Sequence, residues 1–141
     1  MKLASILLLV MAALEAGCSN NAATSAPSST TSTTTPFYFT GTLAPQGSGF
    51  YSFTLNQAGT VSITVVSLAT GPFSPTPGTV VGIGYGTPVG TGCSLTTSAR
   101  TNAGLTAQLV TASGAGVFCV SIFDVGTLTT STDFVVRIVH P

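Results

Sequence analysis

"GVFCVSIFDVGTLTTSTDFVVRIVHP", residues 116–141, consists of two apolar alternations separated by a run of turn-forming residues. Phe118, Val120 and Ile122 fall on one face of the first, and Phe134, Val136 and Ile138 on one face of the second, with Ser121 and Arg137 on the opposite faces. A period of two is that of an extended chain with one face packed and one wet. The β-branched side chains that dominate both runs favour a pleated surface over a helix. The stretch therefore reads as strands over 116–124 and 133–140, joined through a turn between Asp124 and Asp133.

The same pattern extends upstream. It predicts strands at 37–43, 49–55, 60–68, 79–86, 93–99 and 105–111, clearest where Tyr51, Phe53 and Leu55 alternate and again at Val61, Ile63 and Val65. "NQAG" at 56–59 marks a turn, and "TGPFSPTPG" at 70–78 is a loop that no strand could contain. No stretch after residue 36 shows a helical period. Short strands at this spacing predict an all-β, antiparallel, jelly-roll-like sandwich over residues 37–141.

Composition bounds the function. The chain of 141 residues has room for one domain, carries three Lys and Arg against three Asp and Glu, and has zero formal net charge. Without a basic cluster there is no electrostatic footprint for nucleic acid, so none is expected as a partner. Ser, Thr and Gly do the solvating, as suits an exported β-protein.

The N-terminus reads as an export segment. "MKLASILLLVMAALEAG", residues 1–17, has one basic residue, an apolar core and small residues at its end, and it is too short to span a bilayer comfortably. Ala16-Gly17-Cys18 resembles the end of a bacterial lipobox, with Glu15 where that pattern prefers an aliphatic residue. The resemblance implies that Cys18 becomes the first mature residue and carries the lipid that anchors the protein in the membrane. Ser19 after it implies the outer membrane. The alternative is ordinary cleavage near Gly17, leaving Cys18 free or disulfide-linked. Residues 18–36 then hold the lipidated cysteine and a flexible Ser/Thr-rich linker, which has no large apolar side chain to build a core.

The segments "FTGTLAPQGSGFYSFTLNQAGTVSITVVSL" (39–68), "GTPVGTGCS" (86–94) and the opening stretch resemble the bacterial pre-peptidase C-terminal domain and its jelly-roll relatives. The matching positions are Gly41 to Leu43, Phe50 to Leu55, Gly59 to Val65, Gly116 to Ile122 and Asp133 to Ile138. These are turn glycines and core positions, so the resemblance implies a fold rather than a chemistry. Domains of this family are non-catalytic appendages of secreted enzymes or stand-alone surface modules, and some calcium-binding relatives bind collagen or polysaccharide.

Once Cys18 is assigned to lipid, Cys93 and Cys119 remain as a disulfide pair, with two separate buried thiols as the alternative. No catalytic or metal site is expected, and no cofactor. His140 is read as an exposed residue of the last strand, and Asp124 and Asp133 as turn-capping carboxylates. "GIGYG" at 82–86 lacks the third glycine of a dinucleotide loop and is read as glycines relieving crowding in a strand or marking a bulge. Tyr38, Tyr51 and Tyr85 are the candidates for stacking on sugars, with Tyr51 equally suited to the core. The expectation is a non-catalytic lipoprotein of the cell envelope, tethered at the surface as a structural or interaction module, with an envelope polymer or a protein as its partner. The alternative is a carbohydrate-binding module of the envelope.

Overall fold

The structure is a computed structural model that describes residues 34–72 and 74–141. The expected signal peptide, Cys18 and the linker as far as residue 33 lie outside the described residues.

Eight strands follow one another: β1 (Thr35–Leu43), β2 (Ser48–Leu55), β3 (Gly59–Ala69), β4 (Val81–Val89), β5 (Gly92–Thr101), β6 (Leu109–Ser113), β7 (Gly116–Asp124) and β8 (Thr132–His140). They form two four-stranded antiparallel sheets, in the orders β1-β8-β3-β6 and β2-β7-β4-β5. The pairing is nested: first strand with last, second with seventh, third with sixth, fourth with fifth. A long hairpin rolled up in this way, and closed by β3–β8 and β4–β7 pairing, is a jelly roll.

The alternation in sequence becomes the interior. Val61, Ile63 and Val65 of β3 and Phe134, Val136 and Ile138 of β8 face Phe53 and Leu55 of β2, Val120 and Ile122 of β7, and Val81, Ile83 and Tyr85 of β4. Removal of this apolar surface from water is the main driving force for the fold.

Several boundaries differ from the sequence expectation, and three of these differences bear on the architecture. β1 starts two residues before the expected domain edge at 37, because β8 runs to His140 and Thr35 and Pro36 pair with its last two residues. β4 runs through Pro88 to Val89. Its pairing with β7 ends at Gly86, so the missing N–H of Pro88 is not owed to a second neighbour. The strand expected at 105–111 begins only at Leu109, and residues 102–108 are irregular.

Cys93 and Cys119 form a disulfide with their Cα atoms 5.9 Å apart. They lie on β5 and β7, which flank β4, and strands two places apart in a flat sheet are separated by about 9–10 Å. The hairpin must therefore fold toward β7. It does so after a register shift between Tyr85 and Gly86, past the last β4–β7 pair, that of Gly86 with Cys119. The glycines of "GIGYG" allow this close approach. A Cβ on Gly82 would strike the ring of Phe123, one on Gly84 the side chain of Leu95, and one on Gly86 the backbone of Ser94. Cys119 is fully buried even though it points away from the sandwich interior.

Candidate functional site

The site begins at an irregularity in β3. Val61, Ile63 and Val65 point inward in alternation, but the next buried residue is Leu68, and the pairing with β8 slips between Val65 and Ser67. The extra residue of this bulge bends the strand at the point where β6 no longer covers its edge, since β3–β6 pairing stops at Ile63.

Residues 102–108 satisfy that open edge. The Gly104 N–H donates to the Val65 carbonyl at 2.8 Å, and the Gln108 N–H to the Ile63 carbonyl at 3.0 Å. The Gln108 side chain does the work of a missing strand: its Oε1 accepts from the Val65 N–H at 2.7 Å and its Nε2 donates to the Val65 carbonyl at 3.4 Å. A buried strand N–H left without an acceptor would carry a desolvation penalty, which this amide removes. From β8, Arg137 Nη2 reaches the Leu105 carbonyl at 3.2 Å and pins the loop from the other side.

The Pro-rich loop makes the facing wall. It turns back on the end of β3 through an Ala69–Pro75 bridge and a Thr76 N–H to Leu68 carbonyl bond of 2.9 Å. Asn102 ties the two loops together by donating from Nδ2 to the Pro77 carbonyl at 3.2 Å. Between them lies a cleft of about 190 Å³, lined by Val66, Ser67, Leu68, Pro75, Pro77, Ala103, Gly104 and Leu105. None of these residues is ionisable. Leu105 stands at its mouth with 82% of its surface exposed. Such a cleft offers shape and apolar contact, with the Ser67 hydroxyl as the one polar side-chain group among its described lining residues.

The residues singled out from sequence lie elsewhere, and the structure does not bring them together into one site. His140 is a correction: it is only 9% exposed, because β1 stays paired with β8 as far as His140, β3 as far as Val139, and the alternation carries this residue inward. Its ring stacks on Phe37 at 5.2 Å and on Phe53 at 5.0 Å, and Nδ1 lies 2.9 Å from the Pro141 carbonyl.

Asp124 caps the turn that follows it, accepting at Oδ1 from the N–H groups of Gly126, Thr127 and Leu128. Its Oδ2 accepts from the Gln46 N–H at 2.8 Å. Gln46 has a positive φ of 58°, in a turn closed by a Gly47 N–H to Ala44 carbonyl bond of 2.9 Å. The carboxylate thus steadies a backbone shape that suits glycine better. These bonds, that from Gln46 foremost, hold the Asp124 carboxyl below the usual carboxylate range. Asp133 is a second correction: it caps no turn, but accepts at 2.7 Å from the Thr42 hydroxyl on the neighbouring strand.

The three tyrosines separate. Tyr85 is buried, and its hydroxyl shares a 2.5 Å hydrogen bond with Ser113 that ties the two sheets together. Burial pushes that phenol up, against the opposing effect of the Ser113 bond. Tyr51 stacks at 5.8 Å on Phe39 at the margin of the core. Tyr38 alone of the three remains available to a ligand, 59% exposed on the outer face of β1 and in register with Arg137.

Sequence reading missed the cleft, since its lining comes from three separate segments. The break in alternation between Val65 and Leu68 was the one local signal. No family model matches the chain. No curated protein matches it either.

Proposed function

We propose that the chain is a non-catalytic lipoprotein of the cell envelope whose β-sandwich is a surface-tethered structural or interaction module, anchored in the outer membrane through Cys18. The observation that carries this reading is the Cys93–Cys119 disulfide. It pairs two of the three cysteines with each other and so leaves Cys18 for lipid, and a stable disulfide suits an oxidising compartment outside the cytosol. The use of the ionisable side chains supports the non-catalytic part: Asp124, Asp133 and Arg137 bond framework groups, and His140 is stacked between rings. The pre-peptidase C-terminal resemblance forms part of the proposal, supported by a fold of the class it implies, an antiparallel β-sandwich.

Detergent phase partitioning of the full chain tests the anchor. Wild type is expected in the detergent phase with lipid label on Cys18, and Cys18→Ser in the aqueous phase or as unprocessed precursor. Identical aqueous partitioning of the two would overturn the tether. In that event Glu15→Leu restores anchoring if the acidic residue alone blocks lipid processing.

A carbohydrate-binding role is the second reading, favoured by the exposure of Tyr38. It predicts that Tyr38→Ala lowers retention on insoluble cell-wall glycan while leaving the fold unchanged.

A further inference from the structure

We infer, on the reading that Cys18 is lipidated, that the end of the sandwich at which β1 begins rests on the lipid surface, with Val89, Val117 and Phe37 entering its interfacial layer. The strand registers define that end. Thr35 lies opposite His140, Leu55 opposite Gly116, Gly59 opposite Ser113 and Val89 opposite Gly92. The turns at 56–58 and 114–115 carry the chain from one sheet to the other there, and Pro141 lies so close to Gly59 that a Cβ would strike its ring.

Apolar side chains from three strands are left open at this end. Val89, at the tip of the β4–β5 hairpin, and Val117, near the start of β7, are 63% and 54% exposed, and Phe37 of β1 is exposed as well. The disulfide draws the first two toward each other: Cys93 follows Gly92, the residue opposite Val89, and Cys119 lies two places along β7 from Val117, on the same face.

Charge is distributed the other way. Among the described residues, Asp124 and Asp133 stand at the opposite ends of β7 and β8, Arg100 is opposite Gly82 near the start of β4, and Arg137 reaches across β3 to the Leu105 carbonyl. An ionised group pressed against lipid must give up water at a cost that Val and Phe do not incur. The end nearest Thr35 is therefore the one a lipid layer can accept.

The chain preceding β1 names the occupant. Residues 19–34 lie between Cys18 and Thr35, and a Ser/Thr-rich coil of that length reaches about 20–24 Å root-mean-square. Lipid on Cys18 thus holds this end of the domain, rather than the far loops, close to the bilayer. A short tether raises the effective concentration of the two surfaces to about the millimolar range, so a contact of a few side chains, too weak to recruit a free domain, becomes populated. The turn at 44–47, the Pro-rich loop and the turn at 125–131 then face away from the membrane.

The chain contains no tryptophan, so a single introduced indole reports on one place. The full chain, exported and lipidated, is reconstituted into vesicles of phosphatidylethanolamine and phosphatidylglycerol, with or without brominated acyl chains. Emission from Val89→Trp should be blue-shifted and quenched by the brominated lipid, and emission from Thr129→Trp, in the turn at the far end, should be neither. Adding Val117→Asp to the Val89→Trp chain should abolish both effects while the protein still floats with the vesicles. Circular dichroism and continued protection of Cys93 and Cys119 from alkylation verify the fold of each variant. In protein that floats, absence of quenching in Val89→Trp, equal quenching in Thr129→Trp, or quenching indifferent to Val117→Asp overturns the contact and leaves the anchor standing. Protein that does not float overturns the anchor, and the contact with it.

Discussion

The β4–β5 hairpin and the 102–108 loop solve the same problem by different means. Each continues past the end of a neighbouring strand: the hairpin past the last β4–β7 pair at Gly86, the loop past the last β3–β6 pair at Ile63. The hairpin is held by a covalent bond and by side chains laid over glycines. The loop is held by the side chains of Gln108, Asn102 and Arg137, each bonded to a backbone carbonyl or N–H. The first device packs its surroundings tightly and leaves Cys119 fully buried. The second leaves a cleft, because hydrogen bonds fix the loop at its margins without filling the space between. In this domain the cleft lies where amides, rather than packing, complete the sheet.

The largest break in the comparison comes from the covalent side. Replacing both Cys93 and Cys119 by serine frees a loop spanning 26 residues in sequence. The chain-entropy estimate for such a loop is about 3.5 kcal/mol. For a domain of this size that corresponds to a fall in Tm of roughly 15–25 °C. Thermal unfolding of wild type under reducing and non-reducing conditions should show the same difference. An unchanged Tm would mean that the hairpin is held by its packing over Gly82, Gly84 and Gly86 alone.

A smaller loss is expected on the other side. Gln108→Ala removes the acceptor of the Val65 N–H and leaves that buried donor unpaired, at a cost of about 2 kcal/mol. Hydrogen exchange should localise the damage, with the Val65 amide losing protection while those of β7 keep theirs. The two regions share no bonding partner, so combining Gln108→Ala with the serine pair should give additive losses to within about 0.5 kcal/mol. Marked non-additivity in urea unfolding would show that the two devices are coupled through the core.

What the sequence disclosed follows the same division. Strand positions and the inward residues of β2, β7 and β8 were legible because alternation is a local pattern that the core enforces. The glycines of "GIGYG" were correctly read as crowding relief and a bulge, though their partners, Phe123, Leu95 and Ser94, come from other strands. The cysteine pair was legible by counting. Leu105 was mistaken for a strand residue because nothing local announces that the side chain of Gln108, and not a continuing backbone, will complete the edge of β3. His140 was misjudged for the converse reason, since its burial depends on Phe53 from the opposite sheet. The cleft depends on three segments meeting, and no single segment carries its pattern.

The smallest expected effect concerns Asp124, where a side chain again completes a backbone, now at the turn between β1 and β2. Its carboxyl titrates below the usual range, chiefly because the charged form accepts from the Gln46 N–H and also from those of Leu128, Thr127 and Gly126. A carboxyl depressed in the folded state binds fewer protons there than in the unfolded chain. Its contribution to stability is therefore present above the unfolded value, about 3.9, and is lost as pH falls through the folded one. Asp124→Asn keeps an acceptor for the turn at 126–128 but sets an amide donor against the Gln46 N–H, and it does not titrate. Wild type should accordingly lose stability on acidification below about pH 4 more steeply than Asp124→Asn, and the two urea midpoints should converge at the lowest pH. The difference will be modest, because the carboxylate is open to solvent, which screens it. Parallel pH profiles would show that the Gln46 turn is held by its own Gly47–Ala44 bond without help from the charge.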